Sequence, residues 1–316
     1  MTKNKKVTVK DIAARMGISL STVNKALTGK PGISEKRRAE VVAVANEMGY
    51  VVNHVAQSLS RKPIKLGIIL PSLWQQYFEV VEEGMKRELA KLYHSNVTGE
   101  VRHVADANET REALEYFFTE GVDAIVYSPS LLLLDDLVCR LINEKKLPVF
   151  LVGGDCEGIE NISTVNIDTR VSGRMAAELF ALSVDRDTTL AVFIGSKKMG
   201  VHAEKADAFS QRVRELGFTD VRIYETFDGT LSSIAMTGEL FSTSERVGGI
   251  YIATGTASPI LEYIRRLDEN KRPKVITTDI HEEIREGLSD GTIMATVFQN
   301  QTLMGRLVIR RHTDIL

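Results

Sequence analysis

Val7-Thr8-Val9-Lys10-Asp11-Ile12-Ala13-Ala14-Arg15-Met16, then Gly17-Ile18-Ser19-Leu20, then Ser21-Thr22-Val23-Asn24-Lys25-Ala26-Leu27, is the stretch on which the reading of this chain turns. Thr8 is placed to cap a first helix, with Asp11 at the third helical position of a capping box, where Glu is the stronger choice. Ile12, Ala13 and Met16 give that helix its apolar face. Gly17 breaks it, Ile18 plugs the turn, and Ser19 caps a second helix whose Val23, Ala26 and Leu27 face inward at i, i+3 and i+4. Leu20, Ser21, Asn24 and Lys25 are left on or near the outer face. Thr28-Gly29-Lys30-Pro31-Gly32 reads as a loop. A third helix starts at Ser34, with Val41, Val42, Val44 and Ala45 as core positions and Lys36, Arg37 and Arg38 near its start.

Charge gives this pattern a direction. Residues 1–62 carry 12 Lys or Arg against 4 Asp or Glu, a net of +8, which leaves 28 basic and 38 acidic residues beyond them, a net of −10. The whole-chain value of −2 hides that division. A small positive head on a larger acidic body points to a nucleic-acid-binding module joined to a part that avoids nucleic acid. In a helix-turn-helix, the second helix enters the major groove. There, Ser21 and Asn24 can exchange hydrogen bonds with bases, Lys25 can reach a guanine edge or a phosphate, and Leu20 can meet a thymine methyl. Lys36, Arg37 and Arg38 suit phosphate contacts, which set affinity and salt dependence rather than sequence preference.

The remaining composition narrows the class. At 316 residues with 43% hydrophobic content, two or three compact units are expected. No apolar run approaches the roughly 18 residues that a membrane span needs. The basic start has no apolar segment behind it and does not read as a secretory signal, so a cytoplasmic, nucleoid-associated location is expected. Cys139 and Cys156 have no metal-ligand spacing and no disulfide pattern.

The head resembles the lactose-repressor (LacI/GalR) family of bacterial transcription regulators. The likeness is carried by Val7 to Ala13, Gly17-Ile18-Ser19, Thr22 to Leu27 and Gly49-Tyr50, with Asn24-Lys25 where family members usually have Ser-Arg. The resemblance extends to a hinge written Tyr-x-Pro-Asn-x-x-Ala-x-x-Leu, here Tyr50-Val51-Val52-Asn53-His54-Val55-Ala56-Gln57-Ser58-Leu59, with Val52 replacing Pro. It implies a hinge helix, capped by Asn53, that folds when two subunits meet on an operator and wedges the paired Leu59 side chains into the minor groove. The DNA-facing set is then Thr8, Ser19, Leu20, Ser21, Thr22, Asn24 and Lys25 in the head, with Asn53, Ala56 and Leu59 in the hinge.

Beyond Pro63, short apolar runs alternate with helical patterns. Strands are expected at 65–71, 96–102, 123–127 and 149–152, then 190–194, 221–224, 249–252 and 274–278, with helices between them. This is the rhythm of mostly parallel, doubly wound sheets in two α/β lobes that close on a ligand. Thr164 to Asp168 reads as a crossing between them. The expected organisation is an all-α helix-turn-helix domain over 1–50, a hinge over 51–63, and a two-lobed α/β domain over 64–316, the effector and dimerisation domain that the family resemblance implies. Its N-lobe takes about 64–163 plus 300–316, and its C-lobe about 164–299.

The body resembles the sugar-binding domains of the same family and type 1 periplasmic binding proteins. Tyr77-Phe78 followed by Gly84, Thr278-Asp279 at a strand end, and the stretch from Gly291 through Gln299-Asn300 to Gly305 carry the likeness. It implies an effector site of Trp74, Tyr77, Phe78, Lys205, Asp279 and Gln299, in which carboxylate and amide meet hydroxyls and aromatic faces cover C–H groups. Two turns depart from the pattern. Ala253-Thr254-Gly255-Thr256 stands where many relatives have an acidic turn, and Ser128-Pro129-Ser130-Leu131 is apolar near a position that can be acidic. Residues 305–316 begin a return helix but leave little for a further strand and helix, so that end reads as truncated, rearranged or less stable.

The resulting expectation is a DNA-binding transcription regulator, a repressor, that binds double-stranded operator DNA as a homodimer, with a tetramer left open. A sugar-like ligand in the cleft modulates it. A non-sugar metabolite or a protein partner is the alternative, and a solute-binding protein is a distant one. The six histidines are scattered, and no nucleophile–base motif, phosphate loop or dinucleotide fingerprint is present. No enzymatic activity, metal or cofactor is therefore expected.

Overall fold

The computed structural model describes residues 7–27, 29, 31–50, 63–72, 75–93, 96–129, 135–154, 156, 158–160 and 162–315. The chain divides into two compact units, Met1–Arg61 and Lys62–Leu316.

In the smaller unit, α1 (Val9–Met16), α2 (Leu20–Leu27) and α3 (Glu35–Glu47) surround a core of Ile12, Ala13, Val23, Ala26, Val41 and Ala45. The capping box at Thr8 is complete: its backbone N–H donates to Asp11 Oδ2 at 2.8 Å, and its hydroxyl accepts from the Asp11 N–H. Gly17 ends α1 in the left-handed region (φ 63°), where a side chain is disfavoured. In α3, Val41 and Ala45 are buried, but Val42 is exposed rather than in the core. At 100° per residue, the face shared by 41 and 45 turns 42 outward. The hinge positions Asn53, Ala56 and Leu59 lie outside the described residues.

The larger unit contains two five-stranded parallel sheets, ordered β2-β1-β3-β4-β5 and β10-β9-β8-β6-β7. The first comprises β1 (Ile64–Pro71), β2 (Val97–Val104), β3 (Ala124–Tyr127), β4 (Val149–Val152) and β5 (Ile162–Val165). The second comprises β6 (Thr189–Ile194), β7 (Val221–Glu225), β8 (Val247–Ile252), β9 (Lys274–Thr278) and β10 (Ala295–Val297). Side chains alternate across each strand. In β1, Leu66, Ile68 and Leu70 pack toward α4 (Gln75–Leu92) and the final helix, α12 (Gln301–Ile315). Ile69 points the other way, toward α5 (Ala107–Thr119) and α6 (Asp136–Lys145). The second sheet is covered by α7 (Thr169–Ser183) and α8 (Gly200–Glu215) on one face. On the other lie α9 (Thr230–Thr243), α10 (Ser258–Arg265) and α11 (Glu282–Ser289).

One difference from the sequence reading stands out. Residues 162–165 form an edge strand of the first sheet, so this lobe runs to Val165, past the expected boundary near 163. Residues 301–315 form one helix that returns to the first sheet and packs on α4. Glycines allow that close packing: a carbon added at Gly305 would stand 2.0 Å from the Val81 carbonyl oxygen, and one at Gly84 2.3 Å from that of Thr302. Glu88, 2% exposed, sits in the same contact and accepts from Arg306 at 3.2 Å and Arg310 at 2.7 Å. These ion pairs hold its carboxyl below the usual range despite burial.

A methyl group at Gly305 must push two backbones apart. We expect Gly305→Ala to lower unfolding stability by about 2 kcal/mol, within the range for overpacked cores. Leu182→Ala, at an 86% exposed site, should change it by under about 0.5 kcal/mol. Urea unfolding of the two variants checks the difference.

Candidate functional site

Two surfaces carry the candidate chemistry. On the helical unit, Ser19, Leu20, Ser21 and Asn24 are exposed and Lys25 is half-buried, at the start and along one face of α2. Ser19 Oγ accepts from the Thr22 N–H at 3.1 Å and lies 2.9 Å from the Thr22 hydroxyl, so this pair closes the first turn. Thr8 is exposed, with its hydroxyl donated to Asp11 Oδ2 at 2.7 Å. Arg38 departs from the expected phosphate role. Its guanidinium donates to the carbonyls of Lys25 at 3.1 Å and Ala26 at 3.4 Å, capping the end of α2. Lys36 and Arg37 remain exposed.

The second surface is a cavity of about 640 Å³ between the two lobes of the larger unit. In both sheets the chain order reverses beside the first strand, between β1 and β3 and between β6 and β8. Loops diverge at the carboxyl ends of such strands and leave a crevice there. From the first lobe come Tyr77, Phe78, Pro129, Gly153 and the amides of Gln76 and Gln301. Phe78 is mainly core, 8% exposed, and meets Tyr77 edge-on with ring centroids 5.0 Å apart. Tyr77 is half-buried, and its hydroxyl lies 3.8 Å from Met304 Sδ. Burial, with the nearby Asp279 charge, pushes the Tyr77 phenol above its usual range, so it remains a neutral donor.

Among the described residues, the charged side chains lining the cavity come from the second lobe. Asp279 follows β9 with φ 72°, a conformation that Asp tolerates better than most residues. Its Oδ2 accepts from Gln299 Nε2 at 2.7 Å, while Oδ1 is buried with no partner. Burial raises the Asp279 pKa to about 6, against the lowering pull of Gln299 and Lys205. Lys205, on α8, is 4% exposed and has no ion pair within 4.0 Å among the described residues. Burial lowers its pKa to about 8, with Asp279 pulling the other way. Tyr77, Phe78, Lys205, Asp279 and Gln299 thus meet around one space, whereas Trp74 lies outside the described residues.

Three further polar groups escaped the sequence reading. His202 stands three residues before Lys205 and accepts from the Ser196 N–H at 3.2 Å through Nδ1. Burial lowers its pKa to about 4, so the ring is neutral. His281 Nδ1 is buried without a partner, and burial lowers that ring's pKa as well. Asp228, after β7, holds the turn after β8: its Oδ1 accepts from the Thr254 hydroxyl and, at 3.2 Å, from the Gly255 N–H. The i, i+3 spacing of His202 and Lys205 and the Asp-Gly pair at 228–229 were the available signals. The Asp228 contact joins residues 26 or more apart and leaves no local pattern.

Such a lining can grip a hydroxylated ligand. Carboxylate oxygens accept from hydroxyls, Lys205 and the amides donate, and Tyr77 offers a ring face. Among the described residues, no group of three or more His, Cys, Asp or Glu could hold a metal ion. Nor is any helix there long and apolar enough to cross a membrane.

Comparison with known proteins accords with this geometry. A family model for "Bacterial regulatory proteins, lacI family" matches residues 8–53, and one for "Periplasmic binding protein domain" matches residues 66–315. The chain is similar to catabolite control protein A of Streptococcus mutans, 27% identical over 184 residues covering 57% of this chain and 53% of that protein. It is also similar to GanP, a glucose-galactose binding protein from Geobacillus stearothermophilus, with TM-score 0.71 and 21% identity, covering 81% of this chain and 91% of the other. The Lac repressor dimer bound to operator and an anti-inducer matches with TM-score 0.62 and 17% identity, over 98% of this chain and 93% of that one. The chain spans about half the length of the curated relatives it matches. A helix-turn-helix unit followed by a two-lobed binding-protein scaffold defines the class. This chain belongs to the lacI family of bacterial regulatory proteins, and its larger unit is a periplasmic binding protein domain.

The raised pKa of Asp279 makes a stability prediction. The folded protein holds that proton more tightly than the unfolded chain. The associated stability is fully present below pH 3.8 and is lost as pH rises through about 6. Asp279→Asn should remove that segment of the pH dependence, so the two proteins' urea midpoints should converge at pH 4 and differ most above pH 6, with the variant the more stable.

Proposed function

We propose that this chain is a sequence-specific DNA-binding transcription regulator, a repressor, whose operator affinity is set by a sugar or sugar derivative held in the interlobe cavity. The observation that carries this reading is the union in one chain of two features. An exposed Leu20, Ser21 and Asn24 face lies on a strongly basic helix-turn-helix unit, and the other unit holds a polar-walled cavity with unsatisfied groups. Similar proteins support it, since one is a glucose-galactose binding protein and another is a repressor dimer on its operator.

Residues 1–50 serve as the DNA-binding domain, 51–63 as the hinge and 64–316 as the effector and dimerisation domain. Leu20, Ser21, Asn24 and Lys25 read base edges, while Thr8, Ser19 and Thr22 shape and support that surface beside the phosphates. Asn53, Ala56 and Leu59 act in the minor groove as a paired hinge, which makes a homodimer the minimum unit. The protein works in the cytoplasm, on the chromosome. Tyr77, Phe78, Lys205, Asp279 and Gln299 bind the effector, together with Trp74. The effector alters operator affinity only through different affinities for the DNA-bound and free states.

Fluorescence anisotropy on DNA fragments from upstream of the gene, with and without a panel of sugars, polyols and their derivatives, tests both halves. Specific binding that one compound shifts is expected. Only weak, sequence-independent and salt-sensitive binding would sink the base-reading assignment. Ser21→Ala should cost about 1–3 kcal/mol of operator affinity and relax preference at one base position. Lys36→Ala, at an exposed residue suited to a phosphate contact, should instead weaken all sequences alike and reduce the salt slope by about one.

Effector affinity should also follow pH. Asp279 becomes an acceptor as pH rises through about 6, and Lys205 loses its charge as pH rises through about 8. Titration calorimetry should therefore find the tightest binding between those values.

A further inference from the structure

The polar wall of the cavity is richer in acid than in base, and the acids sit at helix starts. α8, α9, α10 and α11 all begin at the cavity, and none has a side-chain cap. Their open N–H groups would ordinarily favour an anion. Here that positive character is already met. Asp228 precedes α9, Asp279 precedes α11, Glu283 lies in the first turn of α11, and Glu262 lies in α10. Among the described residues that line the cavity, one ammonium, Lys205, stands against these four carboxyl groups, since burial keeps the His202 and His281 rings neutral near pH 7.

Asp228 is built into this wall. It takes φ 51°, and its backbone carbonyl accepts from the Thr256 hydroxyl at 2.8 Å, while Oδ1 accepts from the Thr254 hydroxyl. Oδ2 has no hydrogen-bond partner among the described residues. It lies beside the His202 ring: a carbon at Gly195 would stand 2.5 Å from both Asp228 Oδ2 and His202 Cε1. Asp279, Lys205, His202 and Asp228 therefore form a row in which each feels the next. The unpartnered, 4% exposed Lys205 in the middle of that row, with Asp279 Oδ1 unsatisfied beside it, marks the row as unfinished without a ligand.

We infer that Asp228 is a second effector-gripping carboxylate, and that with it the cavity selects uncharged or amine-bearing polyols and rejects their phosphorylated and uronic-acid forms. The inference rests on the cavity being the effector site. It also accounts for the missing acidic residue in the turn after β8: the neighbouring loop supplies a carboxylate, and Thr254 and Gly255 hold it in place. A hydroxyl or ammonium donates to Oδ2, whereas a phosphate or carboxylate there meets like charge with little water to screen it.

Titration calorimetry on the full chain tests this with hexoses, cyclic polyols, 2-amino sugars, sugar phosphates and uronic acids. The expected result is a neutral or amine-bearing binder at least about tenfold tighter than its own phosphate or uronate. Asp228→Asn keeps an acceptor for Thr254 and Gly255 and removes the charge. It should weaken the parent ligand about tenfold and narrow its advantage over the anionic forms. An unchanged thermal midpoint would show the loop intact, and the selectivity of the unaltered protein needs no variant. If a polyol binds but its phosphate or uronate binds as tightly, or Asp228→Asn binds it unchanged, the inference is overturned while the sugar-effector reading stands. If nothing in the panel binds while operator DNA is bound specifically, the sugar reading falls and the inference falls with it.

Discussion

Two helix pairs in the larger unit lie so close that one methyl group would part them. A carbon at Gly173 on α7 would stand 2.3 Å from the Lys205 carbonyl oxygen on α8. The contact continues toward the sheet: Phe180 of α7 meets Phe209 of α8 edge-on at 5.9 Å, and the Ser172 hydroxyl lies 3.1 Å from that of Tyr251 on β8. It fixes the segment of α8 that carries His202 and Lys205, and so fixes one wall of the cavity. The Gly84 and Gly305 contact does the same for α4 and α12, whose first turns bring Gln76, Tyr77 and Gln301 to the opposite wall. Interiors packed to crystal-like density transmit such constraints, so the cavity's shape depends on glycines that do not line it.

Much of this was legible in the sequence, for a physical reason. A parallel strand buried on both faces needs a continuous apolar run, and Leu66 to Leu70 and Leu190 to Ile194 show one. β5 lacks it because an edge strand bearing Ser163 and Thr164 is only partly covered. Asp279, Gln299, Tyr77 and Lys205 could be placed because each has a recognisable setting in the chain. His202 and Asp228 could not, since their meaning arises only when loops distant in sequence converge over Gly195. Arg38 was misread for a similar reason: charge suggests a phosphate contact, but only the fold shows the carbonyls of Lys25 and Ala26 within reach.

The cavity divides its chemistry by lobe. Among the described residues, the first lobe contributes rings, Pro129 and amides, while the second contributes the charge. A ligand touching only the second lobe would satisfy Lys205 and Asp279 but leave its apolar side in water. One touching only the first would bury that side but forgo the strong hydrogen bonds. The full binding free energy is therefore available only when both walls engage the same molecule. A ligand of this kind stabilises one lobe arrangement over another, which is the differential affinity that any ligand-driven shift requires. Two unsatisfied atoms of lining residues, Asp279 Oδ1 and His281 Nδ1, sharpen this preference, because a buried polar group without a partner costs about 1–3 kcal/mol that a bridging hydroxyl can recover.

The charge division along the chain bears on how such a shift reaches DNA. The proposed DNA-binding unit is small and strongly positive, so phosphate contacts give it affinity for any duplex. Sequence preference must then come from the few exposed side chains of α2, each worth only a few kcal/mol. A regulator built this way gains more from controlling whether two heads engage together than from changing the reading face itself. Joining two heads multiplies modest affinities through effective concentration, and losing that geometry loses the gain without breaking any contact in either head.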